Sequence, residues 1–314
     1  MSTCNGTGFR PSSFMLAGIP GLAAAHVWFA VPFFSMYIVT VVANFTLLFI
    51  IKIEESLHEP MYLFLAMLAI TDLSLVTSIV PRMLGIFWFN ARETGVNACL
   101  TQMFFIPFLY VMESGILLAM ALDRFIAICY PLRYIIILAN TALIKIGLVI
   151  GFRATVVLMP APLLVRKLMY FRTEVIPYSY CAYMAVVQLA CVDTSVHVMY
   201  GLFVIIASVG VDLFFIALSY VLILWAVFRL PSKEARSKSL GTCGSHMCVV
   251  LLFYSPVVFS FVAQKLGFSM APNIQIIVDN LYFLLPPMLN PLVYGVRTSQ
   301  LRNRVAKMLH CTKI

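Results

Sequence analysis

The stretch VWFAVPFFSMYIVTVVANFTLLFII, residues 27–51, runs 25 residues without a charged side chain. As a helix rising 1.5 Å per residue it is about 37 Å long, enough to cross a hydrocarbon core about 30 Å thick. Six more apolar segments follow, near 60–89, 97–129, 141–165, 196–228, 242–263 and 274–296. Across 314 residues the chain is 62% hydrophobic and 11% charged, where a soluble domain carries roughly 25% charge. Its mean hydropathy is +1.00. No compact soluble fold of this size has interior enough for that apolar surface, so the solvent must be lipid. The expectation is an all-α membrane protein, a seven-transmembrane helix bundle over 27–296. An N-terminal segment, 1–26, precedes it, and a tail, 297–314, carries a short amphipathic helix. The same composition excludes disorder, collagen, coiled coil and a secreted disulfide scaffold.

Orientation follows from the bases, because cytoplasmic loops retain Lys and Arg. With the N-terminus outside, the inner flanks collect Lys52, Arg124, Arg133, Arg229, Lys233, Arg236, Lys238, Arg297, Arg302, Arg304, Lys307 and Lys313. The outer side holds fewer: Arg10, Arg82, Arg92, Arg166, Lys167, Arg172 and Lys265. The net charge of +9 therefore reads as membrane placement rather than nucleic-acid binding. The opening MSTCNGTGFRPSS has no apolar core of a cleavable signal, so the first span is expected to direct insertion. Asn5-Gly6-Thr7 is then a glycosylation sequon on the outer side. In the tail, Leu301, Val305, Met308 and Leu309 lie on one side, with Arg302, Arg304 and Lys307 available to lipid phosphates.

Helical rise also ranks polar residues by depth. Above the inner rim, Asn44 lies about 12 Å up, Asp72 about 18 Å, Glu113 about 16 Å and Asn290 about 10 Å. Four spans thus bring polar groups to one layer, either as glue between helices or as a hydrated, sodium-occupied switch. Cys99 falls at the outer mouth of the third span, while Cys181 and Cys191 lie in the outer segment between spans four and five. An oxidising compartment allows a bridge from Cys99 to one of them, with Cys181 favoured.

Several longer motifs resemble a known signature set: Leu57-His58-Glu59-Pro60-Met61-Tyr62, MALDRFIAICYPLRY at 120–134, Ser219-Tyr220, KSLGTCGSH at 238–246 and PPMLNPLVY at 286–294. Together, and in this order, they resemble vertebrate olfactory receptors, a branch of the rhodopsin-like G protein-coupled receptors. Phe253-Tyr254-Ser255-Pro256 and the entry sequence PSSFMLAGIPGL resemble the class I, or fish-like, division.

The resemblance implies a receptor that binds a small odorant and activates a heterotrimeric G protein of the olfactory stimulatory type, in the plasma membrane of olfactory cilia. It implies no cofactor, no nucleic acid and no catalysis. Asp123 and Arg124 match the switch motif, with Phe125 where a tyrosine is usual. Tyr220 and Tyr294 match tyrosines that support the active arrangement, Asn290-Pro291 matches the kink of the seventh span, and His246 matches a latch position near Arg124. The G protein surface would comprise Arg124, residues 130–139, Arg229 to Lys238 and the tail helix. Departures are Ala43 for a usual glycine, Pro107 for a polar residue, and Phe171 where many members carry a loop cysteine. The last leaves Cys191 without its usual partner, free or alternatively paired.

Depth and resemblance nominate Phe108, Val111, Met112, Met184, Val204, Ser208, Tyr254, Val258, Phe261, Asn280 and Phe283 as the wall of a mostly apolar ligand site. Lys265 stands at its rim, either to pair with an organic acid or to snorkel outward or meet Asp279. Carboxylic acids are the favoured ligands, with neutral aldehydes and alcohols as rivals. A channel or transporter would also place Asp72, Glu113 and Arg153 in the membrane, but no internal repeat is visible. Cys243, His246 and Cys248 do not share one helical face, and no HExxH, GxSxG or P-loop occurs, against an enzyme.

Overall fold

The computed structural model describes residues 11–21, 26–168, 171–191, 193–229, 232–265, 271–297 and 301–304. Seven helices are long and apolar enough to cross a membrane. They are His26–Ile53, Pro60–Phe89, Val96–Cys129, Asn140–Arg166, Ser195–Phe228, the part Ser239–Phe259 of a helix Lys233–Lys265, and the part Asn273–Gly295 of a helix Pro272–Arg297. Start and stop signals are local. Pro60 opens the second span, where its missing N–H costs nothing. Asn90, at φ 55, closes it in the left-handed conformation. Met159 joins the two helical pieces Asn140–Leu158 and Pro160–Arg166 of the fourth span. A π-helical turn, Ile206–Gly210, interrupts the fifth.

The connections show that the spans alternate in direction. Strand β1 (Ser13–Leu16), before the first span, pairs antiparallel with β2 (Glu93–Gly95), which lies between the second and third. It also pairs in parallel with β3 (Val175–Ile176), between the fourth and fifth. Three separate connections therefore meet at one end of the bundle, in the order β2-β1-β3. At the other end Arg304, after the seventh span, pairs with Glu54, after the first, at 2.6 Å. Leu301 is buried beside it, the only described apolar residue of the tail helix's proposed apolar face.

Strand β1 was not visible as a strand in the sequence. It forms because PSSFML alternates: Phe14 and Leu16 are buried in the bundle mouth while Ser13 and Met15 are not. The chain then turns at Gly18, whose φ of +72 suits glycine. A Cβ there would sit 2.9 Å from the His26 ring.

The second and third spans are the innermost, 56% buried against 28% for the first and fourth and 22% for the fifth. The third is therefore the hub against which the others are placed. Gly115 allows its closest approach to the fourth: a Cβ there would lie 2.6 Å from Ile150 Cγ2. Large side chains such as Trp28, Phe152, Leu148, Phe214 and Trp225 point away from the protein, as a lipid solvent permits.

Candidate ligand chamber and switch

One disulfide of the sheet end is explicit. Cys99 and Cys181 are bonded, with their Cα atoms 5.4 Å apart, which ties the loop after the fourth span to the third. The loop packs inward through a short helix, Tyr183–Leu189, with Val186 and Val187 fully buried. Gln102 reinforces the bridge by accepting the Cys181 N–H at 3.0 Å. Cys191 is also disulfide-bonded, so the expectation of a free thiol is overturned and that of an alternative pairing stands. Phe171, in place of a cysteine, makes an antiparallel bridge with Ala190, so backbone pairing holds the two strands together there. Buried Tyr180 of this loop titrates well above the usual tyrosine range, through desolvation first and the nearby Asp279 charge second. Asp193, just before the fifth span, is held below its ordinary value by the Ser195 hydroxyl and N–H, which both donate to its carboxylate.

Beneath the loop the nominated wall residues divide. Phe108, Val111, Met112 and Val204 gather in one cluster between the third, fourth and fifth spans, with Ala154 and Leu158. Phe283 stands across the bundle, edge-on to Tyr180 at 5.6 Å. Tyr254 is buried between them. Met184 lies against Gly201 of the fifth span. Ser208, in the π turn, donates to Val204 O at 2.5 Å. Asn280 is committed to the protein: it donates to Ile276 O and accepts from Ser179 Oγ at 2.7 Å, tying loop to seventh span. Val258 is 45% exposed. The side chains of Phe261 and Lys265 lie outside the described residues. Asp279 accepts from Gln275 at 2.8 Å.

Two groups escaped the sequence reading. The first is an aromatic floor: Tyr110 stacks on Phe253 at 4.4 Å and meets Tyr282 at 5.1 Å, joining the third, sixth and seventh spans. The hydroxyls of Tyr110 and Tyr282 are buried without a partner, two polar handles in an otherwise apolar chamber. The second is a chain of polar contacts across four spans. Both guanidinium ends of Arg153 donate to the Asp212 carboxylate, Nη2 to Oδ2 at 2.7 Å. Ser114 also donates to Asp212 Oδ2, at 2.6 Å, and lies 2.7 Å from the Tyr254 hydroxyl. Because the Ser114 proton is used on Asp212, Tyr254 must be the donor to Ser114. The available signal was a base deep in the fourth span, Arg153 about 20 Å along it, and a single acid in the fifth, Asp212 about 24 Å from its end.

Asn44, Asp72, Glu113 and Asn290 are all buried. Asn290 Nδ2 donates to both Asp72 oxygens, at 3.3 and 3.0 Å, and the Glu113 carboxyl lies against Asp72. Asn44 Nδ2 donates to Pro287 O, one turn before Asn290. Three acceptors remain unpartnered: Asn44 Oδ1, Glu113 Oε1 and Asn290 Oδ1. Beside a buried carboxylate, such spare oxygens form the donor set of a small hard cation.

At the end opposite the sheet, Asp123 is fully buried and holds Arg124 through Nε at 2.8 Å and Nη2 at 2.5 Å. Tyr134, in the following loop, donates to the other Asp123 oxygen at 2.8 Å. Burial and the Asp123 charge raise the Tyr134 hydroxyl well above its usual range. His246 Nδ1 lies 2.6 Å from the Tyr220 hydroxyl. The contact joins the fifth and sixth spans directly, and both of its members lie within electrostatic range of Arg124. Tyr294 is buried nearby with its hydroxyl unpartnered.

The sequence model of the olfactory receptor family matches residues 33–312, nearly the whole chain. The chain belongs to the olfactory receptor family. Olfactory receptor 52A5 of Homo sapiens is 50% identical to this receptor over the full length of both. Human olfactory receptor 52H1 is 49% identical over 96% of each chain. Olfactory receptor 51E2 of Rattus norvegicus is 48% identical over all of this chain and 98% of its own. Relatives of the 52 and 51 groups make the receptor a class I type. It is an odorant-sensing G protein-coupled receptor of the plasma membrane and not an enzyme.

Proposed function

We propose that odorants bind above the Tyr110, Phe253 and Tyr254 floor and release the sixth span from two hydrogen bonds that hold it in the resting arrangement. The observation that carries this reading is the pair of ties on one helix. Tyr254 is held to Ser114 of the third span, and His246, about 12 Å along the same helix, is held to Tyr220 of the fifth. A ligand that favours a displaced Tyr254 thereby favours parting of the fifth and sixth spans at the other end. Its leverage equals its differential affinity for the two arrangements. Arg124, freed from Asp123, would then meet the G protein together with residues 130–139, Arg229 to Lys238 and the tail helix at 298–310. A stimulatory G protein is the partner we assign.

The sheet end faces outward in this reading, with Asn5 glycosylated, the segment 1–26 outside, the bundle at 27–296 and the tail, 297–314, in the cytoplasm of olfactory cilia. Sodium fits the layer of Asn44, Asp72 and Glu113: it would use the three spare oxygens and supply positive charge that stabilises the resting packing.

Carboxylic acids are the ligand class we assign, with Lys265 at the rim as the charge partner. The alkyl tail would bury against Phe108, Val258 and Phe261, each methylene contributing roughly 0.8 kcal/mol when desolvated. The rim ion pair would contribute orientation more than affinity, since partly solvated pairs are worth about 0 to 1 kcal/mol. The test compares hexanoic acid, hexan-1-ol and methyl hexanoate in cells reporting cyclic AMP, on wild type and Lys265→Met. A response to the acid that the variant loses supports the assignment. Equal responses to all three, unchanged by the variant, replace it with a chamber that reads neutral odorants by shape through Tyr110 and Tyr282.

A further inference from the structure

Two adjoining hollows lie between the third and fourth spans at the sheet end. One, of about 150 Å³, reaches under Phe14 and Phe171, and the other, of about 400 Å³, is walled by Phe104, Phe105, Pro162 and Leu163. They share Asn97, Leu100 and Arg166, so Arg166 stands where one passes into the other.

The larger hollow is a groove with a polar end and an apolar end. Asn97 and Arg166 lie at the ends of their spans, Val96–Cys129 and Asn140–Arg166, which is headgroup level. Phe105, about 12 Å deeper than Asn97 by helical rise, is at hydrocarbon level. Phe105 and Leu163 are 47% and 55% exposed, so the groove opens toward lipid. Its inner side is Phe104, which stacks on Phe108 of the chamber cluster at 5.6 Å.

Charge selects the occupant. Arg166 is exposed, and Lys167 follows it, also exposed. Among the described residues no carboxylate pairs with Arg166, and neither hollow is lined by an acid. Asn97 accepts from the Thr101 hydroxyl through its backbone oxygen, at 2.9 Å, which leaves its side-chain amide to donate elsewhere. A guanidinium beside an amide donor suits a phosphate, whose oxygens accept paired N–H bonds. A sterol hydroxyl would leave the guanidinium charge unanswered. Any arginine at a span end can reach headgroups by snorkelling; this one has an apolar trough directly beneath it, so head and tail of one molecule are held together.

We propose that the groove is a phospholipid site. The phosphate lies on Arg166 and Asn97, and one acyl chain runs over Leu100 and Leu163 onto Phe104 and Phe105. The chain thereby backs the Phe104 ring from the lipid side, opposite its stack on Phe108. Both leaflets carry phosphate, so the site stands whichever way the sheet end faces and whatever the odorant.

The test is photolabelling of the intact receptor in phosphatidylcholine nanodiscs that include a phosphatidylcholine with a diazirine in one acyl chain, followed by peptide mapping. Labelling is expected to concentrate at Leu100, Phe104, Phe105 and Leu163, well above Met199 and Phe203, which are exposed at matching depth on the fifth span. Arg166→Gln should lower groove labelling about fivefold, the weight of one base at a membrane surface. Thr101→Trp, at an exposed position of the groove wall, should fill the groove and bring its labelling down to that of Phe203. Labelling of Met199 and Phe203 should be unchanged in both variants. Parallel arms use cholesterol and palmitic acid bearing diazirines. Groove labelling no higher than at Phe203, groove labelling that Arg166→Gln leaves unchanged, or equal enrichment with cholesterol or palmitic acid overturns the proposal.

Discussion

Replacing Asp212 by alanine should cost the receptor about 3 kcal/mol of stability. Asp212 is fully buried and accepts two hydrogen bonds from Arg153 and one from Ser114. Removing one member of a buried ion pair costs about 3 to 5 kcal/mol, mostly because the other charge stays behind without compensation. The Arg153 side chain is 27% exposed, which puts the expected cost at the lower end. Near 3 kcal/mol, the ratio of folded to unfolded receptor falls roughly 100-fold. The midpoint of melting should fall by about 6–10 °C. The double variant Arg153→Met, Asp212→Leu removes both charges and should melt within a few degrees of wild type, since well-packed apolar replacements of such pairs are often neutral. Ser114 keeps its bond with Tyr254 in that background. The assay is melting of detergent-solubilised receptor, read by a thiol-reactive dye at buried Cys243. A single variant as stable as wild type, or a double variant as fragile as the single, would refute the claim that this pair is a coupled structural unit.

His246→Phe should raise basal G protein activation about fivefold, because the arrangement it weakens loses a buried hydrogen bond worth about 1 kcal/mol; unchanged basal cyclic AMP at matched surface expression would refute the latch. Tyr134→Phe should raise basal activation more modestly, since Asp123 keeps its hold on Arg124 while losing one of its donors, and basal signalling at or below wild type would count against it. Gly18→Ala should reduce surface expression, since it forces a side chain into a left-handed turn against His26; flow cytometry at wild-type levels would show that the turn can relax.

Sequence and structure part company at identifiable places. The seven spans were legible to within a few residues because length and lack of charge are properties of each segment alone. That Asp72, Glu113 and Asn290 could meet was legible because helical rise converts sequence distance into height, and they are buried in contact with one another. Which buried groups pair was not. Arg153 and Asp212 lie on separate helices, and only their rotation about their axes makes them partners. Tyr110 and Tyr282 carry no signal of their own in the sequence, and only the fold stacks Tyr110 on Phe253 and brings Tyr282 against it. Resemblance pointed His246 toward the Arg124 region, and what it did not supply is the hydrogen-bond partner there, Tyr220 of the fifth span. Strand β1 was missed because four alternating residues carry little signal until two other connections provide its edges.

The central claim is that ligand binding in the chamber shifts a packing that Arg124 reads out to a G protein. The most direct measurement is guanine nucleotide exchange by a purified stimulatory heterotrimer mixed with the purified receptor in lipid nanodiscs, with and without hexanoic acid. Wild type and Arg124→Ala would be compared side by side. Acid-dependent acceleration of exchange by wild type, absent in a folded Arg124→Ala receptor that still binds the acid, is the predicted result. Equal acceleration by the two proteins would contradict the account.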